Sequence, residues 1–137
     1  MKKSDFQFVR PILKKLIFTE NEQFEVDHEK GESVEMENTF SVQVDKDLEK
    51  SFAVVTLNLQ INRGGANVPF RIEASISSAF RWQNISEEQA ERMLHVNAPA
   101  VLLSYLRPIV SQITNSSRFP VYDIPFLDFT DGISKNE

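Results

Sequence analysis

Two histidines, His28 and His95, come first, because imidazole is the side chain that most readily moves a proton or binds a metal near neutral pH. Neither has a second ligand at metal spacing, and His28 sits between Asp27 and Glu29 in a polar stretch that reads as loop. Both are expected to be ordinary surface or interface histidines. Carboxylates for acid–base work need an enclosed setting that drives their pKa values apart. Most acids here fall on wet strand positions or in an acidic loop, with Glu73 and Asp128 as the exceptions to follow. Gly64-Gly65 follows one strand and opens another, so it lacks the helix N-terminus a phosphate cradle uses and reads as a turn. The serines lack both a G-x-S-x-G elbow and a partnered histidine. With no cysteine in the chain, disulfides, thiolate metal sites and thiol nucleophiles are excluded together. The residue types point away from an enzyme and offer no metal site.

Surface remains. Eleven phenylalanines, two tyrosines and one tryptophan are more than one sheet and two helices easily bury, and surplus aromatics line interfaces or peptide grooves. Phe40, Phe70 and Phe80 lie on predicted core positions. For Phe119, Tyr122, Phe126 and Phe129, core and surface remain equally open.

These residues need elements to hold them. From Val34 to Val44 the even positions Val34, Met36, Phe40, Val42 and Val44 are apolar and the odd ones polar, the period of two of a half-buried strand. Asn38 alone breaks the pattern. After a charged turn from Asp45 to Lys50, the odd positions Ala53, Val55, Leu57, Leu59 and Ile61 take over. Asn62-Arg63-Gly64-Gly65 supplies a turn, and Val68 to Trp82 alternates again. Asp5 to Phe18 reads as an edge strand kinked at Pro11, whose nitrogen has no proton to donate. Together these predict a four-stranded meander with one dry face, preceded by a polar linker over residues 20–32.

Helix signals begin at Ser86, with Gln89 placed to complete a capping box. Asn97-Ala98-Pro99 is expected to end that helix and cap the next. Leu102, Leu103, Leu106, Ile109, Val110 and Ile113 then recur at three- and four-residue steps to about Asn115, with a bend expected at Pro108. Arg118 to Phe129 is proline-punctuated and aromatic, and should be extended yet packed. Strands followed by helices give an α+β fold with the helices on one side of a twisted antiparallel sheet.

A length of 137 residues suits one domain, set at residues 1–130, with 131–137 a disordered polar tail. The formal charge of -5 and a pI near 5.1 argue against nucleic acid as a partner. Residues 1–15 carry five cations against one acid, whereas Glu20 to Lys50 carries eleven acids against three lysines, a solvated surface or a contact for a basic partner. Neither a membrane-spanning run nor a signal core is present, so the expectation is a cytoplasmic protein without membrane insertion.

The stretch from Phe70 to Phe129 resembles the SecB export chaperones: Phe70-x-x-Glu73-Ala74, Phe80, Asn97-Ala98-Pro99, Tyr105-x-Arg107, Ile113, Arg118-Phe119-Pro120, Ile124-Pro125 and Phe129. Leu16-Ile17-Phe18 extends the resemblance over nearly the whole chain, and small SecB-like proteins of Gram-positive bacteria are the relatives it suggests. The resemblance implies a holdase for unfolded or extended polypeptides, assembled as a homodimer or homotetramer and needing no cofactor. It places Phe18, Phe119, Tyr122 and Phe126 in a peptide groove, Leu102, Leu106 and Ile109 in the oligomer interface, and Arg71 and Glu73 on the partner-facing sheet surface. The further C-terminal helix of SecB has only the polar stretch after Phe129 as its counterpart. Arg71 and Lys15 or Leu16 stand where SecB carries an apolar residue and a carboxylate, which argues against docking to a SecA-type motor. The alternative is an adaptor or assembly protein of the same fold with one specific protein partner.

Overall fold

The structure is a computed structural model that describes residues 2–25, 34–65 and 67–130. His28, most of the acidic linker and the polar tail 131–137 lie outside the described residues.

The alternating segments pair as their phase requires. β3 (Asn38–Asp47), β4 (Phe52–Ile61) and β5 (Phe70–Trp82) are consecutive antiparallel neighbours. Their registers set Phe40 opposite Leu59, Val42 opposite Leu57, and Leu57 opposite Ile76, so the apolar sets of all three strands share one face. On β4, Ala53, Val55, Leu57, Leu59 and Ile61 are wholly buried. A single 3-10 turn, Leu48–Lys50, joins β3 to β4; the Asp47 carboxylate accepts from the Lys50 amide, and Ser51 takes a left-handed φ of 50°.

Asn62 closes β4 at φ 62° and is buried. Its backbone N–H donates to the Glu37 carbonyl at 2.8 Å and its Oδ1 accepts from the Glu37 N–H at 3.0 Å. Its Nδ2 donates to the Phe70 carbonyl at 3.0 Å. One side chain thus ties the run into β3 to the ends of β4 and β5. In the turn that follows, a Cβ on Gly65 would stand 2.3 Å from Val68 Cγ1, a closeness that glycine alone permits.

The first segment departs from the expected order. Pro11 divides it into β1 (Phe6–Phe8) and β2 (Ile12–Glu20), and both pair antiparallel with β5 instead of with β3. The sheet runs β1-β5-β4-β3, with β2 also on β5, and is not a meander of four consecutive strands. A period of two dictates which face a strand buries and leaves its neighbour open, and the long link after β2 lets the segment reach the far edge. The register shifts between Leu13 and Lys15, the signature of a bulge.

α1 (Glu87–His95) starts as expected, with Ser86 Oγ accepting from the Gln89 N–H at 3.0 Å. Asn97 is no cap: Val96 is itself helical, its N–H donating to Arg92 and its carbonyl accepting from Ala100, so α2 (Asn97–Asn115) follows almost without a break. α2 continues through Pro108. Ala98, Leu102, Leu103, Leu106 and Val110 form its buried stripe in the core it shares with β4 and β5. Removing this apolar surface from water is what holds the layers together, at roughly 25 cal/mol per Å².

Beyond α2 the chain doubles back. The Tyr122 N–H donates to Thr114 Oγ1 at 2.9 Å, Ser111 Oγ to Asp123 Oδ1 at 2.6 Å, and Arg107 Nε to the Ile124 carbonyl at 2.8 Å. Ile124 is buried, and Phe129 packs edge-on against Phe40 with centroids 4.8 Å apart. The tail carries no regular secondary structure and packs through Phe119, Tyr122, Ile124 and Phe129, while Val121 and Phe126 are exposed. Among the described residues no helix is long and apolar enough to cross a membrane.

Candidate functional site

Where the tail returns beneath the sheet, three stretches of chain leave a cavity of about 1050 Å³ between them. Phe24 and Glu25 form one side, Val34, Met36, Asn38 and Pro69 the next, and the tail from Arg118 to Asp123 with Pro125 the third. The lining is mainly apolar and aromatic, with a few polar groups among it, the usual composition of a site that takes an apolar ligand.

Arg118 holds one end. Its Nε donates to Glu20 Oε1 at 2.7 Å, an Nη donates to the Asn21 carbonyl at 3.1 Å, and the guanidinium lies over the Phe119 ring at 4.3 Å. The planar fork and the flat cation make both contacts at once, which an ammonium could not. Phe24, only 5% exposed, then packs edge-on against Phe119 with centroids 5.8 Å apart. Asn21 fixes the turn that presents it, through Nδ2 to the Val68 carbonyl and through its own carbonyl to the Phe24 N–H.

Further along, Asn38 and Tyr122 face each other. Asn38 Nδ2 donates to the Tyr122 hydroxyl at 2.7 Å, and that hydroxyl lies 3.0 Å from Asn38 Oδ1 as donor. Both side chains are half-buried, whereas Glu25, Arg118 and Asp123 are exposed. Phe70 ties the cavity to the core, its centroid 6.1 Å from Phe119 and 6.4 Å from Tyr122.

No group of three or more metal-ligating side chains occurs among the described residues. The two carboxylates singled out are solvent-facing: Lys15 at 2.8 Å lowers the pKa of Glu73 by hydrogen bond and charge, and Thr130 lowers that of Asp128 through hydrogen bonds. Neither is raised toward neutrality, as a general acid would be. His95 sits in the α1–α2 elbow with Nδ1 2.9 Å from the Glu91 carbonyl. Burial lowers its pKa first and Lys46 second. The Glu91 carboxylate 3.6 Å away does not reverse this, because Lys46 pairs with it.

The family described as preprotein translocase subunit SecB matches residues 2–133 of the chain. This chain belongs to the SecB family. Among curated relatives, the SecB protein-export protein of Ruegeria sp. is 31% identical over 116 residues, covering 80% of this chain and 70% of the relative. That of Orientia tsutsugamushi strain Boryong is 34% identical over 68 residues, covering 50% of this chain and 42% of the relative. Among solved structures, a Mycobacterium tuberculosis SecB-like chaperone in complex with a ChAD peptide from the HigA1 antitoxin shares the fold, with a TM-score of 0.69 at 16% identity, over 90% of this chain and 91% of that one. SecB proteins are chaperones, which agrees with the expectation that this chain is no enzyme.

The SecB resemblance assigned residues whose places can now be given. Phe119 and Tyr122 line the cavity. Phe18 does not; it is half-buried against Phe70, centroids 5.4 Å apart, beneath the sheet. Phe126 is 90% exposed on the outside of the tail, with the Arg107 guanidinium 5.1 Å from its ring. Leu102 and Leu106 are completely buried in the chain's own core and Ile109 is packed against it, so the first two cannot face a second subunit. The apolar stripe of α2 answers to its own sheet. Arg71 and Glu73 do lie on the outer sheet face, where Lys15 engages Glu73 and Arg71 donates to the Gly65 carbonyl.

Sequence reasoning passed over Phe24, Val34, Met36, Pro69 and Arg118 as lining. Phe24 was legible as the lone aromatic in an acidic stretch, and Arg118 as the cation heading the Phe119-Pro120 motif. Their meeting across a separation of 94 residues was not.

Proposed function

We propose that the cavity is a groove that holds extended, apolar stretches of unfolded polypeptide, and that the protein acts as a SecB-like holdase in the cytoplasm. The observation that carries this is the aromatic-lined cavity itself, open to solvent and built from Phe24, Phe119 and Tyr122 over a mainly apolar lining. Binding by burial of side chains without a fixed sequence suits unfolded chains, whose common property is exposed apolar surface. Exposed acids near the cavity, Glu25 and Asp123, keep the mouth hydrated.

Assembly as a homodimer or homotetramer is part of the proposal. Phe8, Val9, Ile12 and Leu13 are exposed along the β1–β2 edge, with Tyr105 of α2 edge-on to Phe8 at 6.1 Å. Sheet edges of this kind invite pairing with a second chain. On the outer sheet face Lys15 neutralises Glu73 and Arg71 adds a cation, so hand-over to a SecA-type motor is not part of the proposed role. The same departure favours the alternative of an adaptor with one dedicated protein partner.

Light scattering of a chemically unfolded client, with the protein at near-stoichiometric ratios, tests the reading. Suppression of aggregation is expected, weakened by Phe119→Ala and unchanged by Phe126→Ser, which lies outside the groove. A folded protein that leaves the client's aggregation untouched, while co-purifying with one partner at fixed stoichiometry, would replace the holdase by the adaptor.

A further inference from the structure

Asn38 is the one polar residue in the even-numbered series Val34, Met36, Phe40, Val42 and Val44. A β-branched residue would suit the strand better and would keep the dry face dry. The structure puts Asn38 at the start of β3, half-buried and in the lining of the groove. Its partner Tyr122 is the other half-buried polar side chain among the described lining residues; the charged ones are exposed.

An extended peptide entering an apolar groove brings its backbone with it. Each N–H and C=O that leaves water without a new partner opposes binding. A carboxamide has two N–H donors and an oxygen with two lone pairs. The tie to Tyr122 uses one N–H through Nδ2 and one lone pair of Oδ1, which leaves one donor and one acceptor free on the same planar group. Oδ1 can thus accept from a backbone N–H, or Nδ2 donate to a backbone C=O, of a bound chain, each partner belonging to a different peptide unit.

Building on the groove reading above, we propose that the Asn38 carboxamide is a main-chain reader: it pairs with the backbone amide of the bound polypeptide, while Tyr122 holds it at the correct angle. Recognition of this kind is blind to side-chain identity, as a binder of many unfolded chains needs. It also accounts for an asparagine where the strand pattern asks for an aliphatic residue.

The test is a fluorescence-polarisation titration with two labelled peptides of alternating leucine and serine, each with one central phenylalanine to set the register. In one of them a central amide is replaced by an ester, which removes the N–H and weakens the carbonyl. The wild type should bind the amide about tenfold more tightly than the ester. Asn38→Val should bind both alike and lose about tenfold for the amide. Tyr122→Phe should distinguish the two less sharply, because the carboxamide is free to turn once its orienting hydroxyl is gone. Equal wild-type affinity for amide and ester overturns the proposal even if Asn38→Val fails to fold. So does an Asn38→Val protein that still prefers the amide, since the pair would then serve only to anchor the tail; a Tyr122→Phe protein as selective as wild type overturns the orienting role of the hydroxyl. A wild type that binds neither peptide removes the groove reading itself.

Discussion

Asn62 is the sharpest place to test how the groove wall is held. Replacing it by alanine leaves the Glu37 N–H and the Phe70 carbonyl without the partners they have at 3.0 Å each. The Phe70 bond is buried and the Glu37 bond partly so, which sets their losses at about 2 and about 1 kcal/mol. Alanine must also adopt φ 62°, at about 1 kcal/mol. The sum for Asn62→Ala is about 4 kcal/mol. Asn62→Gly loses the same hydrogen bonds but accepts the left-handed backbone freely, so it should cost about 1 kcal/mol less. Urea unfolding of the three proteins at one protein concentration gives the numbers, and amide exchange at Glu37 gives the local effect. Both variants should exchange faster there, because that N–H loses its partner. An Asn62→Ala protein within 1 kcal/mol of wild type, or a glycine variant no more stable than alanine, would refute the claim that side-chain bonds and backbone handedness act together at this turn.

Leu106→Ala, at a fully buried position, should cost about 2–5 kcal/mol. Leu106→Asp should abolish cooperative melting by circular dichroism, whereas a folded aspartate variant of smaller solution mass would return α2 to the oligomer interface. Arg118→Ala should free Phe24 and speed chymotryptic cleavage after it by about a few-fold. Arg118→Lys should fall near alanine, since an ammonium cannot span Glu20, the Asn21 carbonyl and the Phe119 ring; restoration to wild-type resistance would reduce the latch to charge alone. His95, held below its ordinary pKa, is expected to make the protein acid-sensitive. The unfolded chain takes up a proton that the folded one resists, so stability is full above the unfolded value of about 6.5 and declines as the pH falls through the lowered folded pKa. Melting temperatures followed across that range should fall less in His95→Gln, and an identical slope in both proteins would assign the acid sensitivity elsewhere.

Alternation in Phe40, Val42, Val44 and in Ala53 to Ile61 made two strands and their common face legible, because burial on one side of a pleated chain writes itself directly into residue order. The neighbour of the first segment was not, since Leu16 and Phe18 carry the same inward phase whether they pair with β3 or with β5. A similar ambiguity misdirected Leu102 and Leu106. A helical stripe records that a face is covered and is silent on whether the cover is the same chain or another. Within the groove, Phe119 and Tyr122 could be read from the tail motif. Phe24 stood out as an aromatic among acids, but its place in the lining could not be read, because only its contact with Phe119 and the reach of Arg118 back to Glu20 and Asn21 give that ring its position.

Phe24 meets Phe119, and Asn38 meets Tyr122, across most of the length of the chain, and this separation bears on the order of events during synthesis. Sheet and helices can consolidate from residues up to Asn115, but the groove has only two of its sides until Arg118 to Asp123 have emerged and folded back. Contacts so distant in sequence are among the last and slowest to form. If the cavity is the client groove proposed above, the binding surface is completed at the end of folding, so the nascent protein would have no finished groove in which to capture its own unfolded segments, or those of chains being made beside it.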